Sequence, residues 1–196
     1  MKQPPVRAEL PILRCKDQKS WSDWLGKHHV SSTGIWLQIA KKGSDQESPT
    51  YAEAVEAALC HGWIDGQKDV YDKTFWLQKF TPRKEKSIWS KINRGKAEEL
   101  LREGKMTPAG RKAIDQAKQN GQWGKAYSSQ SRAKVPADLQ RALDRAPRAK
   151  AFFATLKGAN RYAILFRIQT AKKPETRERR IRDFIAMLVK HETIHP

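Results

Sequence analysis

Residues 51–91 read YAEAVEAALCHGWIDGQKDVYDKTFWLQKFTPRKEKSIWSK, and this stretch decides the fold. Its first ten residues are rich in alanine, which favours a helix that can approach a neighbouring layer closely. Thr50 and Glu53 have the spacing of a capping box at the start of that helix. Two runs of aromatic and β-branched residues then flank Asp72-Lys73, a pattern typical of a β-hairpin. The stretch therefore predicts a helix, a hairpin and a basic loop that leads into a further helix.

The segments on either side extend this pattern into an α+β fold. Residues 34–42, GIWLQIAKK, predict a third strand, because β-branched and aromatic residues are bounded there by turn residues. After residue 81 the apolar residues recur at helical spacing, and Pro136, Pro147 and Pro174 stand where first helical turns are expected. We expect a small antiparallel sheet backed by helices, followed by a C-terminal helical region.

A candidate domain boundary lies at residues 121–135, GQWGKAYSSQSRAKV. The segment is small, polar and aperiodic, which is typical of a linker, although Trp123 and Tyr127 within it are expected to pack. We therefore predict an α+β domain at residues 1–120, a linker-like segment at 121–135 and a helical region at 136–196.

The composition is that of a basic globular protein. Its 196 residues include 39 Lys and Arg against 21 Asp and Glu, a formal net charge of +18. A field of this sign attracts polyanions, so non-specific contact with nucleic acid is expected. No zinc-finger, RNP or helix-turn-helix motif indicates a specific nucleic-acid reader. The sequence contains neither a signal-peptide pattern nor an apolar run long enough to span a bilayer, and we expect a cytoplasmic protein.

Cys60, His61 and Asp65 form the first candidate site, because such residues can supply a nucleophile, a base and an orienting carboxylate. Neighbouring residues at a helix end point in different directions, however, and no cation in the sequence stands beside Cys60 to lower its thiol pKa. A buried cysteine and a histidine at a helix end account for Cys60 and His61. For Asp65 two interpretations stay open. It lines a pocket beside Trp63, or it has a structural role in an ion pair with a cation or in an Asx turn.

The basic loop at residues 81–91 forms the second candidate site. Three cations precede a predicted helix that Ser87 or Ser90 would cap, and the free N–H groups and dipole of a helix N-terminus favour an anion. Charged side chains would strengthen such a contact, and a tryptophan in the helix could stack on a ring. The alternative is a solvated basic loop with that tryptophan in the core. The predicted ligand-binding residues are Trp63, Asp65, Arg83, Lys84, Lys86, Ser87, Trp89 and Lys91.

The remaining clusters predict neither a catalytic nor a metal site. His191 and His195 have a spacing that can suit a metal, but no third ligand stands near them. Glu175 with Arg179 and Glu178 with Arg182 form favourable i, i+4 pairs, which indicate an exposed, salt-bridged helix. We expect no cofactor and no metal ion.

Several motifs carry a family resemblance. They are YAEA at 51–54, GWIDG at 62–66, FTPRK at 80–84, KSIWSKIN at 86–93, GKMTPAG at 104–110, AK at 171–172 and ETRERRI at 175–181. With these segments, which run over most of the chain, the protein resembles the YdeI/OmpD-associated family, whose members carry a bacteriocin-protection label. The resemblance implies a cytosolic bacterial α+β protein, and it supplies no established catalytic residues.

Three functions follow as hypotheses. The first is a non-enzymatic cytosolic protein, acting in stress or bacteriocin protection, with an anion site between the Trp63/Asp65 turn and the loop at 83–91. The second is an enzyme acting on a phosphorylated small molecule, with Asp65 and His61 as acid and base. The third is a nucleic-acid binder that uses its basic surface.

Overall fold

The computed structural model describes residues 10–129 and 133–196. Within them lie the strands β1 (Ile12–Leu13), β2 (Ile35–Ala40), β3 (Trp63–Val70) and β4 (Phe75–Pro82). They form a four-stranded sheet in the order β1-β2-β4-β3. The β2–β4 and β3–β4 pairs are antiparallel, and the short edge strand β1 adds a parallel pair with β2.

Eight helices lie in the described residues. They are α1 (Gln18–His28), α2 (Tyr51–Cys60), α3 (Lys91–Arg102), α4 (Pro108–Gln119), α5 (Ala137–Asp144), α6 (Pro147–Thr155), α7 (Gly158–Gln169) and α8 (Pro174–Val189). The predicted α+β fold, with a helical C-terminal region, is confirmed. None of the helices in the described ranges is long and apolar enough to cross a membrane.

The predicted hairpin forms between β3 and β4, and its turn is closed by Asp72. One carboxylate oxygen of Asp72 accepts hydrogen bonds from the backbone N–H groups of Thr74 and Phe75, both at 2.7 Å. The strand register then shifts between Asp65 and Lys68. The buried side chain of Gln78 compensates for this irregularity, because its amide donates to the carbonyl oxygen of Gly66 at 3.0 Å.

The core of the sheet-bearing part lies between the sheet and helices α1 and α2. Thr50 and Glu53 form the predicted capping box at the start of α2. Ala54, Ala57 and Ala58 on α2 are almost fully buried, so this helix packs closely on its neighbours. The indole N–H of Trp21 on α1 donates to the Ala54 carbonyl oxygen of α2 at 3.1 Å, which fixes the two helices together.

The chain divides into two compact units. The first comprises the described residues up to Trp89 together with Asn93–Lys125, and the second comprises Ser90–Ile92 together with the described residues of Ala126–Pro196. Helices α5 to α8 of the second unit enclose their own core, which includes Leu139, Ile164 and Leu188. The predicted domain and linker ranges also take in residues 1–9 and 130–132, which lie outside the described residues, and these boundaries stay a prediction.

Candidate functional site

Asp65 is held by two uncharged donors. The Tyr51 hydroxyl donates to Asp65 Oδ2 at 2.7 Å, and the Asn93 side-chain amide donates to Asp65 Oδ1 at 3.3 Å. Tyr51 begins α2, Asp65 lies in β3 and Asn93 lies in α3, so three separate motifs of the sequence meet at this carboxylate. The half-buried Asp65 thus ties two helices to the sheet.

Trp63 lies in the core of the first unit. Only 1% of its surface is exposed, and its indole N–H donates to the His29 carbonyl oxygen at 3.2 Å. The rings of Trp21 and Trp24 pack edge-on against it, with centroids 6.3 and 6.0 Å away. With its ring enclosed and its polar edge occupied, Trp63 offers almost no surface to a ligand.

The helix after the basic loop begins at Lys91, so Trp89 precedes α3 instead of lying within it. The prediction that this helix carries Trp89 is wrong, because Trp89 lies in the loop before α3 and its ring is buried there. Trp89 is 2% exposed and packs edge-on against Trp123, with centroids 4.8 Å apart. The Arg83 guanidinium carbon lies 3.5 Å from the centroid of the Trp89 ring, so this cation covers the face that a ligand ring would need.

The two predicted halves of the site meet through the backbone. Trp63 pairs with Pro82 and Asp65 pairs with Phe80 across the β3–β4 ladder, and the Arg83 N–H continues the ladder by donating to the Gly62 carbonyl oxygen at 2.9 Å. The Asp65 side chain, however, bonds to Tyr51 and Asn93, whereas Arg83 lies over Trp89.

Arg83 and Lys84 line an open groove of about 800 Å³, which we call the Arg83 groove. Its described lining residues are Leu10, Ser32, Thr33, Gly66, Gln67, Lys79, Thr81, Pro82, Arg83 and Lys84. Three of these residues are cationic and three carry hydroxyl groups. None of the described residues that line the groove is acidic, so its field is positive.

The loop that bears these cations is held in one conformation. An Arg83 Nη1–H group donates to the Ile88 carbonyl oxygen at 3.2 Å, and the Lys84 backbone N–H donates to the Ser87 hydroxyl at 3.0 Å. Ser87 therefore acts by closing the turn. Lys86 is exposed on the same loop and is not a lining residue of the groove, while Lys91 belongs to the second unit.

Sequence reasoning missed Lys79 and Thr81 of the groove. Both lie in β4, and Lys79, Thr81 and Arg83 follow each other at a spacing of two residues. Side chains at that spacing share one face of an extended chain. The available signal was Lys79, a cation four residues before Arg83, and the predicted strand already contained it.

Cys60 and His61 lie beside a separate cavity of about 370 Å³, whose lining includes Ser22, Glu56 and Lys105. Burial, and next the nearby Glu56 carboxylate, raise the pKa of the Cys60 thiol to about 11, so Cys60 stays protonated and unreactive. Asp65 is not among the residues lining this cavity, and it bonds to Tyr51 and Asn93. The pairing of Asp65 with His61 as acid and base has no geometric support.

Family comparisons match two parts of the chain. Residues 13–113 match the family described as Domain of unknown function (DUF8412), and residues 132–191 match the family described as Bacteriocin-protection, YdeI or OmpD-Associated. The YdeI/OmpD-associated resemblance is thereby confirmed over residues 132–191, whereas the motifs at 51–110 fall within the other match. No curated protein and no solved structure shows significant similarity to the chain. Since the first match covers more than half of the sequence, the chain belongs to the DUF8412 family.

Proposed function

We propose that this protein is a cytoplasmic, non-enzymatic binder of a small anion, and that the anion occupies the Arg83 groove. The observation that carries the proposal is the groove lining, in which Lys79, Arg83 and Lys84 lie together with hydroxyl groups and without a described acidic residue. A phosphate or carboxylate is the class of ligand that such a lining favours.

The position of Arg83 supports the proposal. Its guanidinium is stacked on Trp89 and bonded to the Ile88 carbonyl oxygen, so the group is ordered before any ligand arrives. A cation that is already ordered loses less conformational entropy on binding than a freely rotating lysine. The groove also has the size of a small-molecule site.

Two further observations bear on the setting. Cys15 and Cys60 are free, buried thiols, which is the usual state of cysteines in a reducing compartment such as the cytoplasm. The bacteriocin-protection description of the family matched at residues 132–191 supports a role in stress or bacteriocin protection. We expect cells without the protein to become more sensitive to a bacteriocin and the wild-type gene to restore resistance.

Isothermal titration calorimetry of the full chain against phosphorylated and carboxylated metabolites tests the binding. Lys84→Ala is expected to lower the affinity for a ligand that binds saturably about tenfold, which is the effect of one charge-assisted hydrogen bond. Arg83→Lys is expected to weaken the binding as well, because lysine cannot both stack on Trp89 and bond to the Ile88 carbonyl oxygen, the contacts that hold the loop. Lys86→Ala is the matched control, since Lys86 is an exposed cation of the same loop outside the groove. Binding that the Arg83→Lys, Lys84→Ala double variant leaves intact would refute this function.

The net charge of +18 favours a second candidate, non-specific nucleic-acid binding. Such binding would weaken steeply with salt and would depend on no single lysine. Absence of binding to arbitrary duplex DNA at low salt would exclude it. A ligand of the Arg83 groove, in contrast, should show a shallow salt dependence and a strong effect of Lys84→Ala.

A further inference from the structure

A second cavity, which we call the Lys91 cavity, lies wholly within the C-terminal unit. It has a volume of about 440 Å³ and is lined by Lys91, Ser128, Lys134, Pro136, Leu165, Gln169 and Arg177. The lining combines three cations, two neutral polar side chains and two apolar ones. It shares no described lining residue with the Arg83 groove, so an inference drawn from it does not depend on the function proposed above.

The walls of this cavity are tied together. The Lys91 backbone N–H donates to the Tyr127 carbonyl oxygen at 2.8 Å, and Ser90 and Tyr127 form a parallel β-bridge. The Tyr127 ring packs edge-on against Phe166 of α7, with centroids 5.0 Å apart. The Tyr162 hydroxyl, also on α7, donates to the Ser128 carbonyl oxygen at 3.1 Å. These contacts fix Lys91 and Ser128 against the helix that carries the opposite wall.

That opposite wall is formed by Leu165 and Gln169. The two residues lie four apart on α7, a spacing that places their side chains on the same face of a helix. Leu165 belongs to the buried core of the unit, and Gln169 is exposed. Leu165 is only 3% exposed, so this wall offers mainly the Gln169 amide, which can donate hydrogen bonds. The apolar surface of the cavity comes from the half-buried Pro136.

The charge of Arg177 is already matched by a carboxylate. Its Nε and Nη2 groups donate to the two oxygens of Asp138 at 2.6 and 3.0 Å, and its Nη1 group donates to the Ile168 carbonyl oxygen at 2.8 Å. Arg177 is therefore a fixed part of the wall. Lys91 and Lys134 have no carboxylate partner in the part of the chain that the structure describes. The surplus positive charge of the cavity comes from these two lysines.

We propose that the Lys91 cavity binds a small organic phosphate. Lys91 and Lys134 contact the phosphate, Ser128 and Gln169 supply neutral hydrogen bonds, and Pro136 receives the apolar part of the molecule. A cavity of this volume encloses a metabolite-sized ligand, and a polymer would leave most of its length outside. The mixed lining also distinguishes the site from a surface patch that binds any polyanion.

Isothermal titration calorimetry of the full chain at physiological ionic strength tests this proposal, with phenyl phosphate and inorganic phosphate as probes. In the Lys84→Ala background, which weakens the Arg83 groove, phenyl phosphate is expected to bind with one-to-one stoichiometry and more tightly than inorganic phosphate, because its ring meets Pro136. Lys91→Ala and Lys134→Ala are each expected to weaken it about tenfold. Both lysines are exposed, and circular dichroism of each variant checks that the fold is retained.

Two control variants make the test specific. Lys157→Ala removes an exposed lysine at the opposite end of α7, and Lys84→Ala removes a cation of the Arg83 groove. Neither is expected to change the binding of phenyl phosphate to the Lys91 cavity. An equal loss of affinity with Lys157→Ala would show that the lysines act only through the net charge. A loss of affinity with Lys84→Ala alone would assign the ligand to the Arg83 groove. A short single-stranded oligonucleotide that displaces phenyl phosphate would show a nucleic-acid site. Any of these three results overturns the proposal.

Discussion

The Tyr51 hydroxyl donates a 2.7 Å hydrogen bond to Asp65 Oδ2, and this bond joins the first residue of α2 to strand β3. Asn93 of α3 occupies the other carboxylate oxygen. The sequence left two interpretations of Asp65, a pocket carboxylate and an ion-pair or turn partner. The observed arrangement is a third one, in which neutral donors hold the carboxylate and connect two helices to the edge strand of the sheet.

We expect Tyr51→Phe to destabilise the protein by ~0.5–1 kcal/mol, the usual effect of one hydrogen bond to a partly exposed group. A double-mutant cycle with Asp65→Ala should give a coupling energy of similar size. The measurement is urea denaturation of the four proteins. Tyr71→Phe is the control, because Tyr71 is 40% exposed and Tyr51 43%, so the two tyrosine residues are similarly exposed. A coupling energy of zero would show that the bond adds no stability.

Two helical glycines should respond in opposite directions to alanine. A Cβ atom on Gly110 of α4 would collide with Met106 Sδ and with the carbonyl oxygens of Leu59 and Cys60, whereas a Cβ atom on Gly95 of α3 would meet nothing within 4 Å. Gly95→Ala should therefore stabilise the protein by ~0.5–1 kcal/mol through helix propensity. Gly110→Ala should destabilise it by ~1–3 kcal/mol, since a backbone carbonyl cannot move as easily as a side chain. Thermal denaturation of both variants measures the difference in sign, and two shifts of the same sign would contradict it.

His61 should make the stability depend on pH. It is 8% exposed, its Nδ1 atom has no hydrogen-bond partner among the described residues, and burial followed by the nearby His29 ring lowers its pKa from 6.5. As the pH falls, His61 is therefore protonated at a higher pH in the unfolded chain than in the folded protein. The stability contributed by neutral His61 is fully present above pH 6.5 and is lost as the pH falls through the lower folded pKa.

Urea denaturation between neutral and mildly acidic pH measures this effect, and His61→Gln should flatten the profile. The other groups that face His61 are Ser22 and His29, with Lys19, Asp23, Glu56, Cys60 and Lys105 around the same cavity. The control is His195→Gln, because the hydrogen bonds at the exposed His195 involve its backbone alone. A slope that persists in His61→Gln would assign the pH dependence to another group.

The parts of the fold that local sequence decides were predictable. Thr50 and Glu53 form the expected capping box, and the hairpin closes at Asp72 as expected, since both depend on neighbouring residues. Whether Trp89 stacks on a ligand or lies in the core depended instead on its contact with Trp123, which lies in a distant segment of the chain. Local pattern carries no information about such contacts.

The same distinction holds for the candidate site. Arg83 and Lys84 were found because they are adjacent in a basic loop, and the structure places both in one groove. Lys91 stands in the same run of sequence, yet it pairs with the segment around Tyr127 and lines a different cavity. Lys91 is held away from Arg83 and Lys84 by a backbone hydrogen bond to a residue 36 positions further along the chain, and no spacing rule predicts this bond.

Arg177→Lys is expected to destabilise the C-terminal unit by ~1–2 kcal/mol. Lysine can replace the charge of Arg177, but it cannot make the paired hydrogen bonds to Asp138 or the additional bond to the Ile168 carbonyl oxygen. The ion pair is half-buried, so its contribution is larger than that of an exposed pair and well below that of a fully buried one.

Differential scanning calorimetry of the full chain measures the change, with Arg179→Lys as the control on the exposed face of the same helix. The bond to Arg177 and the Leu139 N–H lower the pKa of Asp138 below 3.8, so its stabilising effect is present above pH 3.8 and is lost as the pH falls through the folded value. The difference between the wild type and Arg177→Lys should therefore shrink at strongly acidic pH. An equal difference at neutral and strongly acidic pH would show that packing of the arginine side chain, and not its bond to the Asp138 carboxylate, stabilises the unit.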